Sequence, residues 1–308
     1  MRLLPPVLTV LLLAGCTEPP RDEPIQPTPG GRLGQAMDRD RQAELEADVL
    51  DREIAAIEAK PAADRDAATR RLGSRFESFL ADVTGTRIEN KGLYLLASWR
   101  FRFARDRGDR GVEELLDRLD NRGPPGFKSA GRYLRVRLLL RQGRLAEARR
   151  TAESLVAEIP EARTALDLVA FHARVGSPPG RLTGTPIGQA FDPAAVPSSW
   201  LLYLFISGTD DGSLSLVQRW TEACADAKAV LVVVTADGSP LTGAQRLRQA
   251  GAKAILWASP GDNGDLKSWV DGWTLPMLPC AVLVSPGPER KVMAASPEPE
   301  DLAAIAGR

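Results

Sequence analysis

Apolar residues recur at helical spacing through the first half of the chain and then change to continuous runs. Ala43, Ala47, Leu50, Ile54 and Ile57 follow one another by three or four residues, the stripe that an amphipathic helix turns toward a core. Pro61 stops that helix, because it has no amide hydrogen and its ring clashes with the preceding turn. Leu72, Phe76, Phe79, Leu80 and Val83 make the next stripe, and helical spacing returns over about 90–106, 110–121, 127–142, 145–158 and 161–174. No segment up to about Val175 alternates with period two for long enough to argue for a strand. Ser177-Pro178-Pro179-Gly180 breaks the pattern and marks a domain boundary.

Beyond it, Trp200–Ile206 and Ala229–Thr235 are unbroken apolar runs, as expected of strands buried on both faces. Between them Leu214–Ala227 reads as a helix, with Leu214, Val217, Trp220 and Ala223 or Cys224 on one side. Leu241–Ala250 is a second helix ending at Gly251, Ala254–Trp257 a short strand, and Ala281–Ser285 and Lys291–Ala295 two strands about the turn Pro286-Gly287-Pro288. Asp301–Ala306 closes the chain with a helix. Strand-helix-strand order with buried strands requires right-handed crossovers and a parallel core; the short turn makes the last two strands antiparallel.

Two stretches resemble known families. Residues 132–160 are similar to a tetratricopeptide repeat: Gly143 and Leu145 stand at the turn, Ala148 and Ala152 where helices cross closely, Leu155 on the core face, and Pro160 at the end. The turn Arg107-Gly108-Asp109, followed by Val112, Leu115, Leu116 and Leu119, looks like an earlier, degenerate hairpin, and Leu168 and Phe171 fall where a further helix would pack. The resemblance implies a groove that binds peptides or proteins.

Residues 180–308 resemble the thioredoxin fold, especially membrane-tethered periplasmic thiol-disulfide oxidoreductases and their peroxiredoxin relatives. The matching segments are Gly184–Phe191, like the family's N-terminal extension, Tyr203–Gly208, Leu231–Asp237, and Leu278-Pro279-Cys280-Ala281-Val282-Leu283-Val284. The last places the family's cis-proline at Pro279. Where the family carries Cys-X-X-Cys at a helix N-terminus, this chain reads Gly208-Thr209-Asp210-Asp211-Gly212-Ser213-Leu214. Asp210 and Ser213 stand at the two cysteine positions of a degenerate active-site loop, and neither can replace the thiolate that disulfide exchange needs. Asp211 or Ser213 suits a helix N-cap.

The first residues carry a different signal. Arg2 precedes an apolar stretch, Leu3–Leu13, too short to span a bilayer but right for a signal peptide. It ends in Leu13-Ala14-Gly15-Cys16, which resembles a bacterial lipobox. The resemblance implies cleavage before Cys16, a diacylglycerol on its thiol, and anchoring to a membrane. Thr17, rather than aspartate, follows the cysteine, as in lipoproteins sorted to the outer membrane rather than kept on the inner one. Residues 17–34 are rich in proline and glycine and read as an extended tether.

Charge and chemistry add little. The chain of 308 residues has 40 Lys or Arg and 40 Asp or Glu, so its net charge makes no case for nucleic acid. Residues 100–150 hold fifteen basic against seven acidic side chains, which reads as an arginine-rich helical surface. Three cysteines and one histidine are too few for a four-ligand zinc site. With Cys16 assigned to lipid, Cys224 and Cys280 remain; they act as small buried hydrophobes or form one disulfide. His172 stands beside Phe171 on an apolar helix side, a structural position. Asp262, Asp265 and Asp271 lack calcium-loop spacing, and Gly208–Gly212 lacks the lysine of a phosphate-binding loop. Trp257, Trp269 and Trp273 suit core packing or a binding face.

The expected protein has a signal peptide over 1–16, a tether over 17–34, a tetratricopeptide-like helical domain over 35–176 and a thioredoxin-like domain over 177–308. The fold class is α followed by α/β, with a mixed sheet and flanking helices. Its partners are a membrane, through lipid on Cys16, and a protein or peptide; no cofactor, metal or nucleic acid is implied. The function is that of a periplasm-facing, non-catalytic interaction or scaffold module. The opposing reading is a divergent thiol oxidoreductase or peroxidase using Cys280, with Cys224 or a partner's thiol.

Overall fold

The computed structural model describes residues 32–58, 62–103, 108–179, 181–182, 185–186, 195–235, 240–252, 254–257, 270–271, 275 and 278–307. The signal peptide, Cys16 and nearly all of the tether lie outside these. The chain divides into two compact units between Ala162 and Arg163.

The first unit is built of helices: α1 Arg32–Glu58, α2 Ala62–Val83, α3 Glu89–Phe103, α4 Gly108–Arg122, α5 Pro125–Arg141 and α6 Leu145–Glu158. Each consecutive pair packs together, and α3 also touches α1 and α5, so alternate helices are neighbours. The stripes read from the sequence form its core, including Leu50, Ile54, Phe76, Phe79, Leu93, Leu116 and Leu119. Gly73 of α2 lies under Trp99 of α3; a Cβ there would fall 2.4 Å from the indole ring. Gly143 has φ of +74°, and the following Arg144 N–H returns to Leu139 O at 2.8 Å. That left-handed turn ends α5 and reverses the chain into α6. Ala148 and Ala152 of α6 are completely buried.

Two expectations for this unit are corrected. α1 begins at Arg32, inside the segment read as tether; a glycine such as Gly34 is tolerated in a first turn, so composition hid the start. Gly108 and Asp109 are helical, within α4, rather than a turn.

The second unit begins with α7, Thr164–His172. Its strands are β1 Arg181–Leu182, β2 Thr185–Pro186, β3 Trp200–Ile206, β4 Ala229–Thr235, β5 Ala254–Trp257, β6 Val270–Asp271, β7 Cys280–Val284 and β8 Val292–Ala295. Helices α8 Asp211–Asp226, α9 Pro240–Gln249 and α10 Leu302–Ala306 complete it. The main sheet has the order β2-β5-β4-β3-β7-β8, and β1 pairs with β6 separately. β3, β4 and β5 are parallel, while β7 runs antiparallel to both β3 and β8. β2, with Pro186, is an antiparallel edge strand on β5, a place that tolerates a residue without an amide hydrogen.

Alternation along the strands sorts side chains to two faces. Leu201, Tyr203, Phe205, Val232, Val234, Cys280 and Val282 face one side with Phe171 of α7. Leu202, Leu204, Ile206, Leu231, Val233 and Leu283 face the other, under Val217, Trp220 and Cys224 of α8 and Leu247 of α9.

The boundary expected at Ser177 is therefore displaced. α7 belongs with the sheet: Phe171 is 1% exposed within the sheet's first cluster. Gly176 N–H donates to Val292 O at 2.8 Å, and Val292 N–H donates to Ser177 O at 2.9 Å. The chain at the expected boundary is thus bonded along the edge strand β8. Helical periodicity marks an apolar face without saying which surface buries it.

Candidate functional site

β3 delivers the chain to the loop Gly208–Leu214, which precedes and opens α8. Ser207 is exposed, Thr209 is buried and Asp210 is exposed. Asp210 is the N-cap of α8: its backbone is extended, and its Oδ1 accepts the Ser213 N–H at 2.7 Å. A carboxylate there satisfies an amide with no helical partner and meets the positive end of the helix dipole. The cap is therefore neither Asp211 nor Ser213, the two residues expected. Asp211 instead accepts from Arg246 of α9 at 2.7 Å, a solvent-exposed pair of small energetic weight. Ser213 lies in the first turn and supplies the capped amide.

The Leu278–Pro279 peptide bond is cis. Cys280 follows at once and pairs in register with Phe205 of β3, so Pro279 stands at the strand end from which the Asp210 loop departs. Cys280 turns into the first sheet cluster and Cys224 into the second. The two sulfurs therefore occupy opposite faces of the sheet, both as unbridged cysteines. Burial pushes each thiol up to about 12. At neutral pH such a thiol is ionised in only about one molecule in 10⁵, and the thiolate is the reactive form.

His172 is half-buried and meets the Phe171 ring edge-on at 6.4 Å. Trp257 is described for its backbone alone, in β5, and Trp269 and Trp273 lie outside the described residues, as do Asp262 and Asp265. Among the described residues no cluster of His, Cys, Asp or Glu fits a metal ion, and no helix is long and apolar enough to cross a membrane.

Sequence reasoning missed Arg290. Its guanidinium donates to Val196 O at 2.7 Å and to Ser199 O and Ser285 O at 3.0 Å each. It fastens the segment entering β3 to the β7–β8 turn. Nothing in a lone arginine after a Pro-Gly turn signals that task.

In the helical unit an open groove of about 390 Å³ lies between α2, α3 and α4. Leu80, Leu96 and Leu115 line it with Arg100, Glu77 and Glu114. Arg100 is engaged by Glu77 at 3.2 Å and by Gly111 O at 3.4 Å. Much of the arginine-rich surface is spent in the same way. Arg118 meets Glu89 at 2.8 Å, Arg135 meets Asp117 at 2.7 Å, and Arg144 meets Glu147 at 2.6 Å.

A parallel β5-β4-β3 core, an antiparallel β7–β8 hairpin on its other side, a helical crossover after β3 and a closing helix after β8 make the second unit thioredoxin-like. No protein-family model and no curated protein matches the chain. Two solved structures are similar to it. One is the thioredoxin domain of a thiol-disulfide oxidoreductase from Bacteroides vulgatus, 16% identical, with 43% of this chain and 95% of that one covered and a TM-score of 0.34. The other is a thioredoxin-like protein from Bacteroides caccae, 10% identical, with 77% of this chain and 83% of that one covered and a TM-score of 0.33.

Proposed function

We propose that this chain is a lipid-anchored cell-envelope protein, held through Cys16 at the periplasmic face of the outer membrane, that works as a non-catalytic protein-interaction module. The helical unit, with its tetratricopeptide-like hairpin at α5 and α6, supplies the binding surface, and the thioredoxin-like unit is a scaffold without redox chemistry. One observation carries this reading. Where thiol chemistry would sit, Asp210 is spent on capping α8, and the two internal cysteines are buried on opposite faces of one sheet. An attacking thiolate needs access and a resolving partner; Cys224 and Cys280 have neither.

The test is insulin reduction and peroxide consumption by the full chain in mild detergent, beside Cys280→Ser and Cys224→Ser. Turnover at background level in all three is expected. Turnover that is lost in Cys280→Ser would establish the oxidoreductase or peroxidase instead. Palmitate labelling in a lipoprotein-competent bacterium checks the anchor: label is expected on the wild type and absent from Cys16→Ser, and an unlabelled wild type refutes lipidation.

A further inference from the structure

We propose that residues 32–46 of α1 form a salt-releasable strap, latched by Arg87 to the turn between α2 and α3, and that its release lengthens the chain between the helical unit and the membrane anchor. The inference rests on the anchoring proposed above for its use, and on the contacts of α1 for its mechanism.

The two halves of α1 are held by different forces. Its buried apolar stripe, Ala47, Leu50, Ile54 and Ile57, is confined to the second half, where Arg75 of α2 also meets Glu53 at 2.5 Å. Over residues 39–46 no side chain is buried: Asp40, Ala43 and Glu44 are half-buried, and Leu45 is 60% exposed. The helix also starts without a carboxylate in its first turn, which leaves the positive end of the helix dipole uncompensated. An isolated helix of about fifteen residues is marginal in water, so contacts with the rest of the unit must hold this one.

Arg87 supplies those contacts. Its Nε meets Asp40 at 2.8 Å and its Nη2 meets Glu44 at 3.4 Å, so one guanidinium straddles two carboxylates a helical turn apart. Lys91 meets Asp48 at 2.7 Å at the base of the strap. Asp40, Glu44 and Asp48 form a like-charged stripe at i, i+4 spacing, which by itself opposes the helix. The two cations turn that stripe into an attractive seam, because opposite charges in contact outweigh like charges a turn apart. The Arg87 side chain is 63% exposed, and exposed pairs of this kind are weak and screened by salt. Burial of the second half is not screened. The post to which the strap is tied is fixed: Gly85 N–H donates to Glu89 Oε2 at 2.8 Å, Thr86 Oγ1 donates to Val83 O at 2.7 Å, and Ile88 is buried. Release therefore frees the first half of α1 and stops at Ala47. Fifteen residues span about 22 Å as helix and up to about 50 Å as extended chain, so opening roughly doubles the reach of that stretch.

The experiment is hydrogen–deuterium exchange, read by mass spectrometry on the full chain in mild detergent, which reports local opening of a helix. It compares about 20 mM with about 500 mM sodium chloride, where the Debye lengths are roughly 20 Å and 4 Å. Amides of residues 39–46 are expected to exchange at least about threefold faster at the higher salt, while residues 50–57 stay within about twofold. In Arg87→Gln the strap should exchange fast already at low salt, and added salt should not speed it further, because only the like-charged stripe is left to screen. Arg87→Lys keeps the charge without the fork and should fall between the two. Arg75→Gln, whose partner Glu53 lies in the second half, should leave the salt response of the strap as it is. The wild-type salt comparison needs no variant to fold. Exchange over 39–46 that ignores salt, that ignores Arg87, or that quickens together with residues 50–57 overturns the strap. Salt-blind exchange in a palmitate-labelled chain sinks the strap and leaves the anchor standing; a salt-released strap on a chain that takes no palmitate sinks the anchor and the lengthening with it.

Discussion

Alkaline pH should unfold the sheet unit through its two cysteines. Each thiol is raised from 9.0 to about 12 by burial, so the folded state keeps a proton that the unfolded chain releases. A folded pKa above the unfolded one gives stability that is complete below about pH 9 and is lost as pH climbs toward 12. Between pH 8 and pH 10 one such group loses about 1.4 kcal/mol, and two lose about 3 kcal/mol. That is a large share of the roughly 5–15 kcal/mol of an ordinary domain. Guanidinium melts of the wild type and of Cys224→Ala with Cys280→Ala at pH 8, 9 and 10 measure it. The double variant starts less stable, having lost two buried sulfurs, but the gap should close by about 3 kcal/mol over the two pH units. Parallel pH dependence in the two proteins would show that the thiols are solvated, and with that the argument against redox work would fail.

Three further outcomes follow from single contacts. Asp210→Ala removes the cap that holds the Ser213 amide and should cost about 1 kcal/mol, with faster hydrogen exchange at Ser213; unchanged exchange refutes the cap. Arg290→Ala strips donors from three carbonyls and should cost about 3 kcal/mol, read as a lowered denaturation midpoint, whereas a loss under 1 kcal/mol would mean water replaces the guanidinium. Gly73→Ala places a methyl against Trp99; crowding of about 1–3 kcal/mol should exceed the gain of about 1 kcal/mol from helix propensity and shift the indole fluorescence, and a stabilised variant would refute the close approach.

Much of this architecture was legible because burial leaves period and composition behind. Trp200–Ile206, Ala229–Thr235 and Ala254–Trp257 were readable as strands from their apolar runs alone, and the structure gives them those limits. The helices of the first unit announced themselves through stripes such as Leu72, Phe76, Phe79 and Leu80. β1, β2 and β6, of two residues each, are too short to carry a period. α7 was placed in the wrong company because Leu168 and Phe171 declare an apolar face and no destination. Among Asp210, Asp211 and Ser213, all good caps, the choice turns on which residue keeps an extended backbone, and composition is silent on that.

The strap of Gly176 and Ser177 along β8 has a practical side. Exposed outer strands are templates for association, and this one is occupied by backbone from just after α7. A fragment that starts at Ser177, as the proline-glycine signal invites, would lose the Gly176 bond to Val292, leave the Ser177 bond to a fraying terminus and empty the bed of Phe171. Such a piece should precipitate or oligomerise on expression, while one started before Arg163 should stay monomeric in size-exclusion chromatography.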